Sequence, residues 1–173
     1  MPSRPLINSR SPCRLMPLDK PAVPSSLGLH LTLLVLVGGL LTGCTPAIRA
    51  DRVDIIATPK TNNNSPVAVD VVVVYDEAVL QKLTAVPAAE WFEKRTQFQL
   101  DAPTQIQVVA QLEVVPGAQV SVDLTQVERR KATGGLAFIN YPTPGDHRLR
   151  IDQLEQIRIE LLDKDFRLLP PEE

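Results

Sequence analysis

VAVDVVVVY, residues 67–75, is the stretch that decides the fold. Valines dominate it, and β-branched side chains suit the pleated, half-buried surface of a strand. Val67, Val69, Val71, Val73 and Tyr75 fall on one face, because successive side chains of a strand alternate. The other face carries Ala68, Asp70, Val72 and Val74, so its second half is apolar too. A strand apolar on both faces needs cover on both.

The next residues supply that cover. Asp76 can cap a helix through Glu77–Leu83. Pro87 suits the first turn of a second helix, PAAEWFEKRTQFQ, 87–99. There Ala88, Trp91, Phe92, Arg95 and Phe98 recur at helical spacing, and Glu90 faces Lys94 one turn on. The aromatic stripe has two readings, a ligand groove or a helix docked on the sheet. Docking is favoured, since it requires large apolar side chains in any case.

Further strands follow. TQIQVVAQLEVV, 104–115, alternates Ile106, Val108, Ala110, Leu112 and Val114 with mostly polar residues. That is the pattern of one buried and one wet face. Pro116-Gly117 turns the chain. AQVSVDL (118–124) alternates again, with Ala118, Val120, Val122 and Leu124 inward. The polar stretch TQVERRKATGG (125–135) precedes a strand LAFINY (136–141). HRLRI (147–151), QIRIELL (156–162) and FRLL (166–169) complete the set, and RVDIIA (52–57) stands before the valine stretch. Seven or eight short strands with turn signals between them, and a helical insertion after the second, predict an all-β, two-sheet sandwich over residues 52–173.

The N-terminal third reads differently. Residues 27–43 form an apolar run that is short for a bilayer span, which needs about 20 residues. Arg4, Arg10, Arg14 and Lys20 precede it, with only Asp19 opposing them. The run ends in Leu41-Thr42-Gly43-Cys44. Basic segment, apolar core and small-residue end are the parts of a secretory signal. Leucine three places before a cysteine, then two small residues, is the pattern of a bacterial lipoprotein signal. Residues 1–43 are therefore read as a cleaved signal peptide, with Met1 or Met16 as the start, Cys44 as the lipid attachment site, and 44–51 as a lipidated tether. One acyl chain holds a protein only marginally, whereas two or more hold firmly. Thr45 is not the aspartate that commonly retains bacterial lipoproteins at the inner membrane. The expected location is thus the outer membrane, facing the periplasm.

Cys13 leaves with the signal and Cys44 carries lipid, so no thiol remains for a disulfide, a zinc site or catalysis. The leader carries a net charge of +3 and the remainder −5, together the chain's −2. An acidic body argues against nucleic acid or anionic lipid as a partner, since both need basic patches, so membrane attachment is expected to come from acyl chains. Chemistry is equally sparse. His147 is the one histidine after the signal, read as exposed at a strand start, and it supplies neither triad nor metal cluster. Ser65 and Ser121 lie in no nucleophile elbow. Asp163 and Asp165 flank Lys164 in a turn. Asp70, amid valines, is either a perturbed catalytic acid or, as favoured, the partner of an arginine or a residue near an exposed edge. The sequence predicts no enzyme, no metal and no cofactor.

In their order these features resemble the TssJ family, outer-membrane lipoproteins of the bacterial type VI secretion system. The likeness runs from the lipobox cysteine through RVDIIA, NNNSP (62–66), VAVDVVVVY, AAEWF, LEVVPG and GGLAFINYPTPGDHRLRI. It implies a transthyretin-like β-sandwich with added helix. It also implies a role: anchoring the periplasmic domain of the inner-membrane protein TssM to the outer membrane. In that family the loop between the first two strands makes the contact. Here the loop is Thr58–Pro66, short and without the family's usual Asp, Gly and Arg, and the residues carried over are Asn62, Asn63, Asn64, Ser65 and Pro66. Asparagine amides can donate and accept hydrogen bonds at once. The alternative function is a periplasm-facing lipoprotein that binds a small molecule or exported polymer through a Trp91/Phe92/Phe98 groove.

Overall fold

The computed structural model describes residues 48–171. The signal segment 1–43 and Cys44 lie outside the described residues. Eight strands and two helices follow in order: β1 (Arg52–Ala57), β2 (Val67–Val74), α1 (Glu77–Thr84), α2 (Ala88–Asp101), β3 (Ile106–Val114), β4 (Gln119–Asp123), β5 (Gly134–Ile139), β6 (Arg148–Arg150), β7 (Ile157–Leu161) and β8 (Phe166–Leu168). They form two four-stranded sheets, ordered β4-β1-β7-β8 and β3-β2-β5-β6. Only β1 and β7 pair in parallel; every other pairing is antiparallel. The expected two-sheet sandwich is the observed one.

Strand β2 sits between two cores. Its Val67, Val69, Val71 and Val73 meet Val53, Ile55, Ile157 and Ile159 of the opposite sheet. Its Val72 and Val74 instead pack with Leu80, Leu83, Trp91 and Phe98 of the helices. The cover that the valine stretch demanded is therefore α1 and α2, laid on the outer face of one sheet. Asp76 caps α1 as expected, accepting from the Val79 N–H at 3.0 Å. Glu90 and Lys94 pair at 3.1 Å along α2.

Asp70 resolves in favour of an ion pair. It is 1% exposed and accepts from the Trp91 indole N–H at 2.9 Å and from Arg95 at 3.2 Å. A buried carboxylate is tolerated only when paired and hydrogen-bonded, and helix α2 brings both partners. Trp91 stacks on Phe138 of β5 at 4.7 Å and on Phe98 at 5.8 Å.

Three local readings are corrected. First, Ile106, Val108, Ala110, Leu112 and Val114 do not share one face. A bulge in β3 opposite Val71/Val72 shifts the register. An extra residue reverses the phase of alternation, so Ile106 and Val108 join the helix-side core while Val109, Ala110 and Leu112 pack on the inter-sheet core. Second, Gly134 and Gly135 belong to strand β5, not to the preceding loop. A Cβ on Gly134 would meet Leu80 at 2.6 Å, and one on Gly135 would meet Ile151 at 2.8 Å. Their bareness lets α1 and the segment after β6 close on the sheet. Third, His147 is not exposed but buried, at 9%. Besides these, Ile48 and Ala50, in the stretch read as tether, contribute to the inter-sheet core.

Truncating Trp91 to Ala should cost about 3–5 kcal/mol, the usual range for a large core aromatic. Asp70→Ala should cost less, about 1–3 kcal/mol, because the Arg95 side chain is 37% exposed and water can replace its partner. Urea unfolding of the two variants checks the ranking.

Candidate partner-binding end of the sandwich

The β1–β2 loop, Thr58–Pro66, lies at one end of the sandwich and is fastened at its base. Thr61 is fully buried, and its hydroxyl donates to the Leu161 carbonyl at 2.7 Å. The Asn62 N–H donates to the Leu162 carbonyl at 3.0 Å. The Asn63 N–H donates to the Asp163 carboxylate at 3.2 Å. The loop is thus bolted to the β7–β8 turn. On its other side the Gly117 N–H donates to the Thr58 carbonyl at 3.2 Å, joining the β3–β4 turn.

The asparagines adopt one unusual conformation. Asn62, Asn63 and Asn64 have φ of 48°, 53° and 58°, a left-handed run of three. For an ordinary L-residue that conformation costs roughly 1–2 kcal/mol each, and asparagine is among the few that visit it routinely. The triplet therefore has a conformational reason as well as a chemical one. The amides divide by role. Asn62 donates through Nδ2 to the Pro66 carbonyl at 2.8 Å, closing the loop on itself. The side chains of Asn63, Asn64 and Ser65 are exposed and make no bond among the described residues, and Pro66 is exposed beside them. Of the five carried-over residues, then, Asn62 shapes the loop and the other four are free to meet a partner.

A third segment locks the same end. The Tyr141 hydroxyl donates to the Leu162 carbonyl and accepts from the Leu162 N–H, both at 3.1 Å. The Thr143 hydroxyl donates to the Lys164 carbonyl at 2.7 Å. His147 Nε2 donates to the Thr143 carbonyl at 2.9 Å, while Nδ1 lies 3.4 Å from Asp165. Asp163 and Asp165 are thus the acids of a turn, engaged with backbone and histidine. Sequence reading missed Val115, which is 50% exposed in the adjoining β3–β4 turn. An isolated apolar side chain among turn residues gives no periodic signal.

The other sequence candidates lie elsewhere. Trp91 is fully buried, Phe98 is 8% exposed and Phe92 is half-buried, so the stripe forms no groove. Asp70 and His147 have separate sets of partners. Among the described residues no cluster of three or more His, Cys, Asp or Glu is placed to hold a metal. Among them, too, no helix is long and apolar enough to cross a membrane.

Fold and site together define a β-sandwich scaffold that presents a rigid, polar loop end. Comparison with known proteins gives this class a counterpart. A chain of a solved "Type VI membrane complex" is similar over 71% of this chain and 99% of its own, with 20% identity and a TM-score of 0.50. The type VI secretion lipoprotein TssJ1 from Pseudomonas aeruginosa is similar over 72% of this chain and 99% of its own, with 14% identity and a TM-score of 0.51. At such identities the likeness is one of fold: the chain has the TssJ sandwich with its helical layer. No protein-family profile matches the sequence, and no curated protein matches it.

Replacing Asn63 with Ala should lower stability by about 1 kcal/mol through left-handed strain, while Asn63→Gly should not, since glycine visits that region freely. Thermal unfolding of the pair checks the sign. Burial pushes the Tyr141 phenol up from 10 to about 12. A group held neutral in the fold contributes stability that is complete below its unfolded value and lost as pH rises toward the folded one. Unfolding free energy should therefore fall between pH 10 and about 12, and Tyr141→Phe should flatten that fall.

Proposed function

We propose that this chain is a TssJ-like structural lipoprotein of a type VI secretion membrane complex. Acyl chains on Cys44 hold it at the outer membrane, facing the periplasm. The asparagine loop grips the periplasmic domain of a TssM-like inner-membrane protein. The fold shared with TssJ1 supports the class. The observation that carries the binding site is the loop itself: three left-handed asparagines bolted at the base, with Asn63, Asn64, Ser65 and Pro66 exposed at the tip. A fixed loop loses little entropy on binding, so its free amides give more net affinity than a mobile one would. Nothing in this role requires a catalytic group, a metal or a cofactor.

Two sets of variants test it. Cys44→Ala should leave the membrane fraction and take up no palmitate label. Asn63→Gly combined with Asn64→Gly preserves the backbone and removes two amides. At about 1 kcal/mol per lost hydrogen bond, it should weaken capture of the TssM-like periplasmic domain at least tenfold. Undiminished capture by the glycine variant would show that these side chains are not the contact.

A further inference from the structure

We infer that the end of the sandwich where β1 begins is seated against lipid headgroups, with the asparagine end turned away from the bilayer. This rests on the acylation of Cys44 proposed above. The argument is one of chain length. Ile48 is 0% exposed and Ala50 1%, both within the inter-sheet core. Around them Arg49 pairs with Glu155 at 3.8 Å, Arg129 pairs with Asp51, and the Leu124 N–H donates to the Asp51 carbonyl at 2.8 Å. The backbone is therefore held from Ile48 onward. Only Thr45, Pro46 and Ala47 separate it from Cys44. Four Cα steps of about 3.8 Å reach at most about 15 Å. A lipidated cysteine lies at the membrane surface, so the domain cannot stand off or turn over.

Topology decides which end that is. Strand β1 runs from Ile48's end to the asparagine loop, and its six residues span about 20 Å. Strand β2 returns, so Tyr75 and the segment before β3 lie beside the β1 start, joined by the Tyr75 N–H to the Gln105 carbonyl at 2.9 Å. The β4–β5 connection, with Arg130 and Lys131 exposed, belongs to the same end, since Asp123 pairs with Arg52 and Gly134 with Val74. The surface there suits an interface of mixed polarity. Of the three large apolar residues exposed among the described residues, one lies at this end. Leu100 is in the last turn of α2, which leads into β3. Lys131 is paired with Glu128 at 2.6 Å, so the end is of mixed charge, and the exposed Leu100 is an apolar group that can dip into a headgroup region.

The test uses the mature lipidated chain in phospholipid vesicles carrying a headgroup-attached quencher. Single fluorophores are placed through Arg130→Cys at the β1-start end and Lys164→Cys at the asparagine end. The Arg130 position should be quenched severalfold more strongly. Equal or reversed quenching would overturn the orientation. A ten-residue Gly/Ser insertion between Pro46 and Ala47 should erase the difference, and a difference that survives it would refute the short tether as the cause. A chain that fails to float with the vesicles at all refutes the anchor reading, and the orientation with it.

Discussion

Burial of β2 on both faces is the constraint on which the rest depends. A strand with one wet face can end a fold; a strand apolar on both must be the middle of three layers. Here the middle layer is the sheet β3-β2-β5-β6, with the second sheet below and the helices above. Its one polar intrusion, Asp70, would be costly alone. Because Trp91 and Arg95 both come from α2 and reach Asp70, the charge that threatens the layer also fixes where the helix docks. Stacking of Trp91 on Phe138 then sets the rotation of the helix about its axis.

The loop end depends on that frame without being part of it. Leu162, just past β7, is its hub: its carbonyl receives both the Asn62 N–H and the Tyr141 hydroxyl. Three segments far apart in sequence thus converge on one residue. Such convergence gives a polar loop rigidity that its composition lacks, and lets a left-handed triplet persist, because the surrounding structure over-determines it. Strand β1 runs from the segment held at Ile48 to the asparagine loop, so a stiff element joins the two ends of the sandwich.

Much of this was legible in the sequence, and the misses have a common cause. Strand positions, the Asp76 cap and the second helix follow from period and propensity, while for Asp70 an arginine partner and an exposed edge both stay open, and it is α2 that brings Arg95 to it. The phase of β3 did not, because a bulge leaves no mark in alternation when the residues around it are valine and alanine. Gly134-Gly135 looked like a turn, since a glycine pair signals one unless a side chain from elsewhere needs the space. His147 looked exposed beside Arg148, since nothing local announces that Tyr141 and Asp165 will enclose it.

The sequence by itself determined the element order and the demand for a cover over the valine strand, because alternation, branching and capping act within a few residues. Only the tertiary structure decided which asparagine amide is spent inside the loop and which are left exposed. That choice is made by hydrogen bonds spanning about a hundred residues, from Thr61 and Asn63 to the β7–β8 turn, and no local pattern encodes a contact at that separation.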